Sequence, residues 1–187
     1  MSLAQTRIAR ESGQGCPHRI LAQVEAIFFE ASANPPAAGP ERDAFRERWL
    51  GRYLQGETDV LLVALAGEDT VAGYLVGALA DPAQQERFAD IGYFRADFAG
   101  LTQRFPAHLH INLAPRFRNQ GIGARLIGAF AEIATQAGAP GLHVVTGRAM
   151  RNVRFYERCG FVERGSTRRN GRELVFLGRQ LPRDQSC

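Results

Sequence analysis

Hydrophobic positions recur every second residue in some stretches of this chain and every third or fourth in others, and that change of period predicts its elements. Residues 6–11 alternate as a short strand, and 17–33 place Ile20, Leu21, Val24, Ile27 and Phe28 on one face of a helix. Asn34-Pro35-Pro36 breaks that helix. A second helix is expected over 40–55, with Glu41 and Asp43 in its first turn and Phe45, Trp49 and Tyr53 at four-residue steps. Apolar, β-branched runs over 60–66 and 70–80 flank Gly67-Glu68-Asp69-Thr70, the signal of a hairpin. Residues 81–105 show no sustained period beyond a helical turn near 82–88, and hold Tyr93, Phe94, Phe98 and Phe105. These aromatics either cover the sheet or wall an acceptor pocket.

From residue 107 the pattern sharpens. A strand is expected over 107–113, a helix over 120–137, a strand over 142–146 and a helix over 150–159 stopped by Gly160. A strand then starts at Phe161, and a last one over 172–181 follows an Asn170-Gly171 turn. The order β-αα-βββ-α-β-α-ββ defines an α/β fold with a mixed sheet. At 187 residues one domain is expected, large enough to bury roughly 70% of the surface its unfolded form exposes.

Composition narrows the chemistry. Cys16, Cys159 and Cys187 are odd in number and scattered, which suits neither a disulfide framework nor a zinc site and fits a cytoplasmic protein. No basic leader with an apolar core stands at the N-terminus, and no apolar run nears the ~20 residues of a membrane span. The net charge of +4 comes from arginines spread along the chain without an aromatic-interleaved stripe, so a polyphosphate ligand suits it as well as nucleic acid, and neither nucleic acid nor membrane is an expected partner. All 23 basic residues are arginine, which excludes lysine nucleophiles and Schiff bases.

The candidate chemistry begins between the 107–113 strand and the helix that follows. The first N–H groups of a helix lack intrahelical partners and carry the positive end of its dipole, and glycines let phosphate oxygens approach closely. The run lacks the Gly-Lys-Ser/Thr of a P-loop and the third glycine of a dinucleotide fingerprint. What stands there, Arg118-Asn119-Gln120-Gly121-Ile122-Gly123-Ala124, fits Gln/Arg-x-x-Gly-x-Gly/Ala. Further on, Arg151 to Phe161 reads RNVRFYERCGF. The first motif resembles the pyrophosphate signature of the GNAT superfamily of acyl-CoA-dependent N-acetyltransferases, and the second its "FYEKLGF" segment.

The resemblance covers residues 107–161 and implies a GNAT-like mixed sheet flanked by helices, with acetyl-CoA as acyl donor and a small-molecule or peptide amine as acceptor. It also implies that homodimers are common. Pyrophosphate binding then falls to the backbone of residues 119–124, namely Asn119, Gln120, Gly121, Ile122, Gly123 and Ala124, with Arg118 and Arg125 adding charge; Leu113 and Asn152 complete the expected cofactor contacts. The family often places Asn seven residues before the helix tyrosine, but that position is Ala149 here, and the nearest amide is Asn152. A scaffold of this kind also binds acyl-CoA without catalysis, which is the alternative reading.

Acyl transfer to an amine needs a held thioester, a neutral amine and a proton for the departing thiolate. By resemblance Tyr156 supplies that proton, and a phenol with a pKa of about 10 keeps it at neutral pH. Alternation along 107–113 puts His108, His110 and Asn112 on one face, a polar face that demands partners. His110 is the candidate proton relay for the amine, against a purely structural network. His108, His110 and His143 also invite a metal reading, yet no nearby carboxylate completes the set, and no metal is expected.

Overall fold

The computed structural model describes residues 6–11, 15–32, 34–57 and 59–182; Ala33, the expected end of the first helix, and Cys187 lie outside them. Seven strands form a mixed sheet: β1 Arg7–Glu11, β2 Asp59–Ala66, β3 Thr70–Ala78, β4 Ala107–Leu113, β5 Gly141–Gly147, β6 Val162–Arg169 and β7 Arg172–Gln180, in the order β1-β2-β3-β4-β5-β7-β6. The β4–β5 pair is parallel, whereas β1–β2, β2–β3, β5–β7 and β6–β7 are antiparallel. The helices are α1 His18–Ala31, α2 Pro40–Trp49, α3 Tyr93–Ala96, α4 Ala99–Arg104, α5 Ile122–Gln136 and α6 Asn152–Arg158. The chain gathers into two compact units, Met1–Ala78 with His110–Phe130 and Leu79–Leu109 with Ala131–Cys187.

In the first unit β2 and β3 are buried along nearly their whole length, as expected of apolar runs without alternation. Helix α1 packs on β3 through Ile20, Val24, Ile27 and Phe28. Its Gln23 fastens the hairpin, donating from Nε2 to the Asp69 carbonyl (2.8 Å) and accepting the Val71 N–H (3.0 Å). The helix expected over 40–55 is shorter. It ends at Trp49, Leu50 leaves helical geometry (φ −135°, ψ −57°), and a 3₁₀ turn follows over Gly51–Tyr53. The break precedes Gly51, and glycine is a poor helix former. It also lets Tyr53 turn inward and become fully buried.

Gly73 on β3 has no room for a Cβ, which would stand 2.8 Å from the Asn112 carbonyl oxygen and against the Leu113 side chain. Backbone cannot retreat as a flexible side chain can. A Gly73→Ala protein is therefore expected to lose about 1–3 kcal/mol of stability, read from its denaturation midpoint.

The second unit resolves the irregular segment. Asp81 accepts the Ala83 N–H (2.9 Å) to start a 3₁₀ turn, a second such turn spans Glu86–Phe88, and α3 and α4 follow. Phe88, Phe94, Phe98 and Phe105 are all buried, and Phe98 and Phe105 pack on Phe176 of β7 with centroids at 5.3 and 6.1 Å. These aromatics are core, so the pocket-wall alternative fails for them. The final hairpin has Asn170 at φ 49° and Gly171 at φ 73°, the two positive values a type I′ turn requires.

Candidate active site

The loop after β4 carries the glycine-containing motif of residues 118–124. Pro115–Phe117 makes a 3₁₀ turn, and Arg118 donates from Nε to the Leu113 carbonyl (3.1 Å), which holds its side chain beside the strand end. Asn119 (φ 61°) and Gly121 (φ 76°) then both enter the left-handed region, a backbone pattern compatible with an anion-binding nest. The Gln120 side chain donates to the Arg116 carbonyl (2.9 Å) and leaves the loop's own N–H groups open. The Arg125 N–H to Gly121 carbonyl bond (3.1 Å) begins the ladder of α5, so the N–H groups of Ile122, Gly123 and Ala124 precede it. A Cβ on Gly121 would meet nothing within 4 Å. Open space over a nest at a helix N-terminus fits a pyrophosphate.

The Arg125 guanidinium is turned to Thr6, donating to its hydroxyl (2.9 Å) and carbonyl (2.7 Å), and keeps its charge. Ile122 is buried, so its part in the loop is its N–H. Leu126, Ile127, Phe130 and Ala134 continue that buried stripe, whereas Ile133 is only half-buried.

Each polar residue on the β4 face has neighbours that account for it. Asn112 donates from Nδ2 to the Tyr74 hydroxyl (2.8 Å). His108 stacks on His143 (centroids 5.5 Å), with Phe88 and Phe94 edge-on and tilted against it. His143 in turn stacks on Phe176 at 4.5 Å and has Nδ1 on the Phe105 carbonyl. These two imidazoles belong to the aromatic core. Among the described residues no three of His, Cys, Asp and Glu gather as a metal-ligand set.

His110 has a different setting, with Nε2 3.1 Å from the Tyr53 hydroxyl and its ring edge-on to both Tyr53 (5.1 Å) and Trp49 (5.5 Å). Burial first, and the Arg52 charge second, push its pKa down to about 4. The imidazole is therefore neutral at physiological pH. Tyr53 and Trp49 are the site residues that the sequence reading placed only on a helix face; their four-residue spacing was the signal, but it does not say what that face meets.

Tyr156 projects from α6, buried and packed edge-on to Phe161 (5.5 Å). Burial, reinforced by the Cys159 thiol, raises its pKa above the ordinary phenol value, so it stays protonated at neutral pH. Among the described residues its hydroxyl has no hydrogen-bond partner. Asn152, one turn earlier, accepts the Thr146 hydroxyl at Oδ1 (3.1 Å), which directs its amide N–H₂ elsewhere. The Cys159 thiol is raised by burial against the opposing Arg179 and Arg158 charges, and a protonated thiol is no nucleophile.

The ladder between β4 and β5 covers Ala107↔Leu142 and His108↔His143, whereas β4 runs on to Leu113.

Comparison with known proteins identifies the family. The model of the acetyltransferase (GNAT) family matches residues 21–161, more than half of the 187 residues. The chain belongs to the GNAT family of acetyltransferases, which implies acyl transfer dependent on acetyl-CoA. Its fold is similar to that of a Desulfovibrio desulfuricans protein described as a GNAT-family acetyltransferase (18% identity, 94% of this chain and 98% of that one, TM-score 0.66). The ribosomal-protein-S18-alanine N-acetyltransferase of Escherichia coli is also similar (14% identity, 97% and 99%, TM-score 0.63). So is a Bacillus anthracis protein described as a streptothricin acetyltransferase and solved with acetyl coenzyme A (18% identity, 71% and 68%, TM-score 0.52). At these identities the likeness is one of fold.

Proposed function

We propose that this chain transfers the acetyl group of acetyl-CoA to a primary amine of a small molecule or peptide, by direct attack in a ternary complex. One acetyltransferase domain over residues 1–187, with its cofactor-binding core at about 107–161, carries the activity. The observation behind this reading is the open nest at Asn119 and Gly121 ahead of α5. Residues 119–124 receive the pyrophosphate on backbone N–H groups, Arg118 adds its charge, and β4 from Leu109 to Leu113 offers backbone groups to the pantetheine amides. The Asn152 amide is a further donor for the bound arm. When bound, acetyl-CoA supplies the activated acyl carbon. No helix among the described residues is long and apolar enough to cross a membrane.

Tyr156 gives its phenolic proton to the departing sulfur. Burial raises the basicity of a thiolate as well as the pKa of the phenol, so the two remain matched. His110 takes the proton from the acceptor nitrogen. A base with a pKa of about 4 cannot deprotonate a free ammonium, but it can accept a proton as the N–C bond forms and the nitrogen becomes far more acidic. Once the rate is expressed per neutral amine, the acid limb of the kcat/KM profile lies near pH 4 rather than near the ordinary histidine value, and His110→Gln removes it.

Stability carries the same signature. Because the folded pKa is lowered, the unfolded chain binds more protons between about pH 4 and the unperturbed histidine value, so stability falls as pH drops through that window. The melting temperature of His110→Gln should fall less steeply there than that of the parent. An unchanged slope would show that the imidazole does not titrate as described.

The first test is binding. Acetyl-CoA at about a hundred times its Kd should stabilise the protein by roughly 2.7 kcal/mol in thermal unfolding. No shift with either CoA or acetyl-CoA would refute the assignment of the loop.

A further inference from the structure

We propose that Tyr53 is a positioning residue that fixes the tautomer of His110, its hydroxyl accepting the Nε2–H so that Nδ1 carries the lone pair. Both the tautomer and the use of that lone pair as a base rest on the function proposed above.

A neutral imidazole has one N–H and one lone pair, so which nitrogen can take a proton depends on where the other one points. At His110 the nitrogen facing Tyr53 is Nε2, at 3.1 Å. A nitrogen committed to a buried phenol cannot also meet an acceptor amine, which leaves Nδ1. For Nδ1 to be basic it must be bare, so the ring proton sits on Nε2 and is donated to the Tyr53 oxygen.

The mount is rigid. Tyr53 is only 1% exposed and closes the 3₁₀ turn with its N–H on the Leu50 carbonyl (3.1 Å), and Leu50 is itself buried. Trp49, at the end of α2, adds a second edge-to-face contact to the same imidazole (79° between ring planes) and limits its rotation. Arg52, between the two aromatics in sequence, is the charged group whose field reaches the ring. A cation there opposes the imidazolium, and a neutral oxygen accepting Nε2–H favours it. Tyr53 thus supports the protonated state that the relay must pass through.

The step balances. The acceptor N–H bond breaks, its electron pair stays on the nitrogen now bonded to carbon, and the proton forms a bond to Nδ1. The Nε2–H remains on Tyr53 throughout. Deprotonation of Nδ1 by water restores the starting tautomer.

Nitrogen-15 NMR of the full chain with labelled histidine at neutral pH reads the tautomer without any substrate. His110 should show a protonated Nε2 and a bare Nδ1; a protonated Nδ1 would overturn the proposal, because Tyr53 would then be the donor. In Tyr53→Phe the ring still packs, and kcat should fall about tenfold, as expected for losing a hydrogen bond to a charged group, with KM for acetyl-CoA unchanged. The acid limb should move to lower pH, since the imidazolium has lost its acceptor. A move to higher pH would again mark Tyr53 as donor and refute the assignment. Failure of the base reading itself looks different: His110→Gln would keep the parent pH profile while the Nε2–H tautomer was still observed.

Discussion

Replacing Tyr156 by Phe should lower kcat by about 100-fold or more while leaving the affinity for acetyl-CoA nearly unchanged. The substitution deletes one oxygen from a buried ring, so packing against Phe161 persists. The hydroxyl has no partner among the described residues, so the variant leaves no buried group newly unpaired and stability should scarcely move. The loss is then one of a proton delivered in the transition state. A thioester with a more acidic thiol should recover part of the rate, because its thiolate needs the proton less. Near-normal kcat in Tyr156→Phe would assign that proton to water and leave Tyr156 a packing residue.

The second large effect is expected at Gly121. Valine there would have to hold φ 76°, which a β-branched residue resists, and its side chain would occupy the open space over the nest. Acetyl-CoA affinity should fall on the order of 100-fold, two lost charge-assisted hydrogen bonds being enough for that. Gly67, at φ 72° in the β2–β3 turn with equally open surroundings, is the matched control. Gly67→Val carries the same backbone strain and should bind acetyl-CoA normally. Titration calorimetry on both proteins separates strain from blockage; equal affinities would refute the loop's role.

The parts of the molecule that could be read in advance are those whose signal is local. The glycines and amides of residues 118–124 announce a turn with positive φ before a helix, and alternation in β4 sorts His108, His110 and Asn112 onto one face, because both depend on neighbours in sequence. The partners of that face do not. Tyr53 meets His110 across 57 residues, and nothing in the spacing of Phe45, Trp49 and Tyr53 reveals that the helix breaks at Gly51 to allow it. Residues 81–105 are opaque for a similar reason: Phe98 and Phe105 are held by Phe176 on β7, a tertiary contact that overrides any local period. The partner of Arg125 is equally hidden, since its bonds to Thr6 join residues 119 positions apart.

The central claim is that the chain catalyses acetyl transfer to an amine and does not merely hold acyl-CoA. Free thiol release from acetyl-CoA, measured over a broad panel of primary amines with mass spectrometry of each amine, tests it directly. The account predicts release that depends on one class of amine, an equal yield of N-acetylated product, and no acetyl group left on the protein. Tight acetyl-CoA binding with no amine-dependent thiol release across the panel would contradict it and leave a binding module of the same fold.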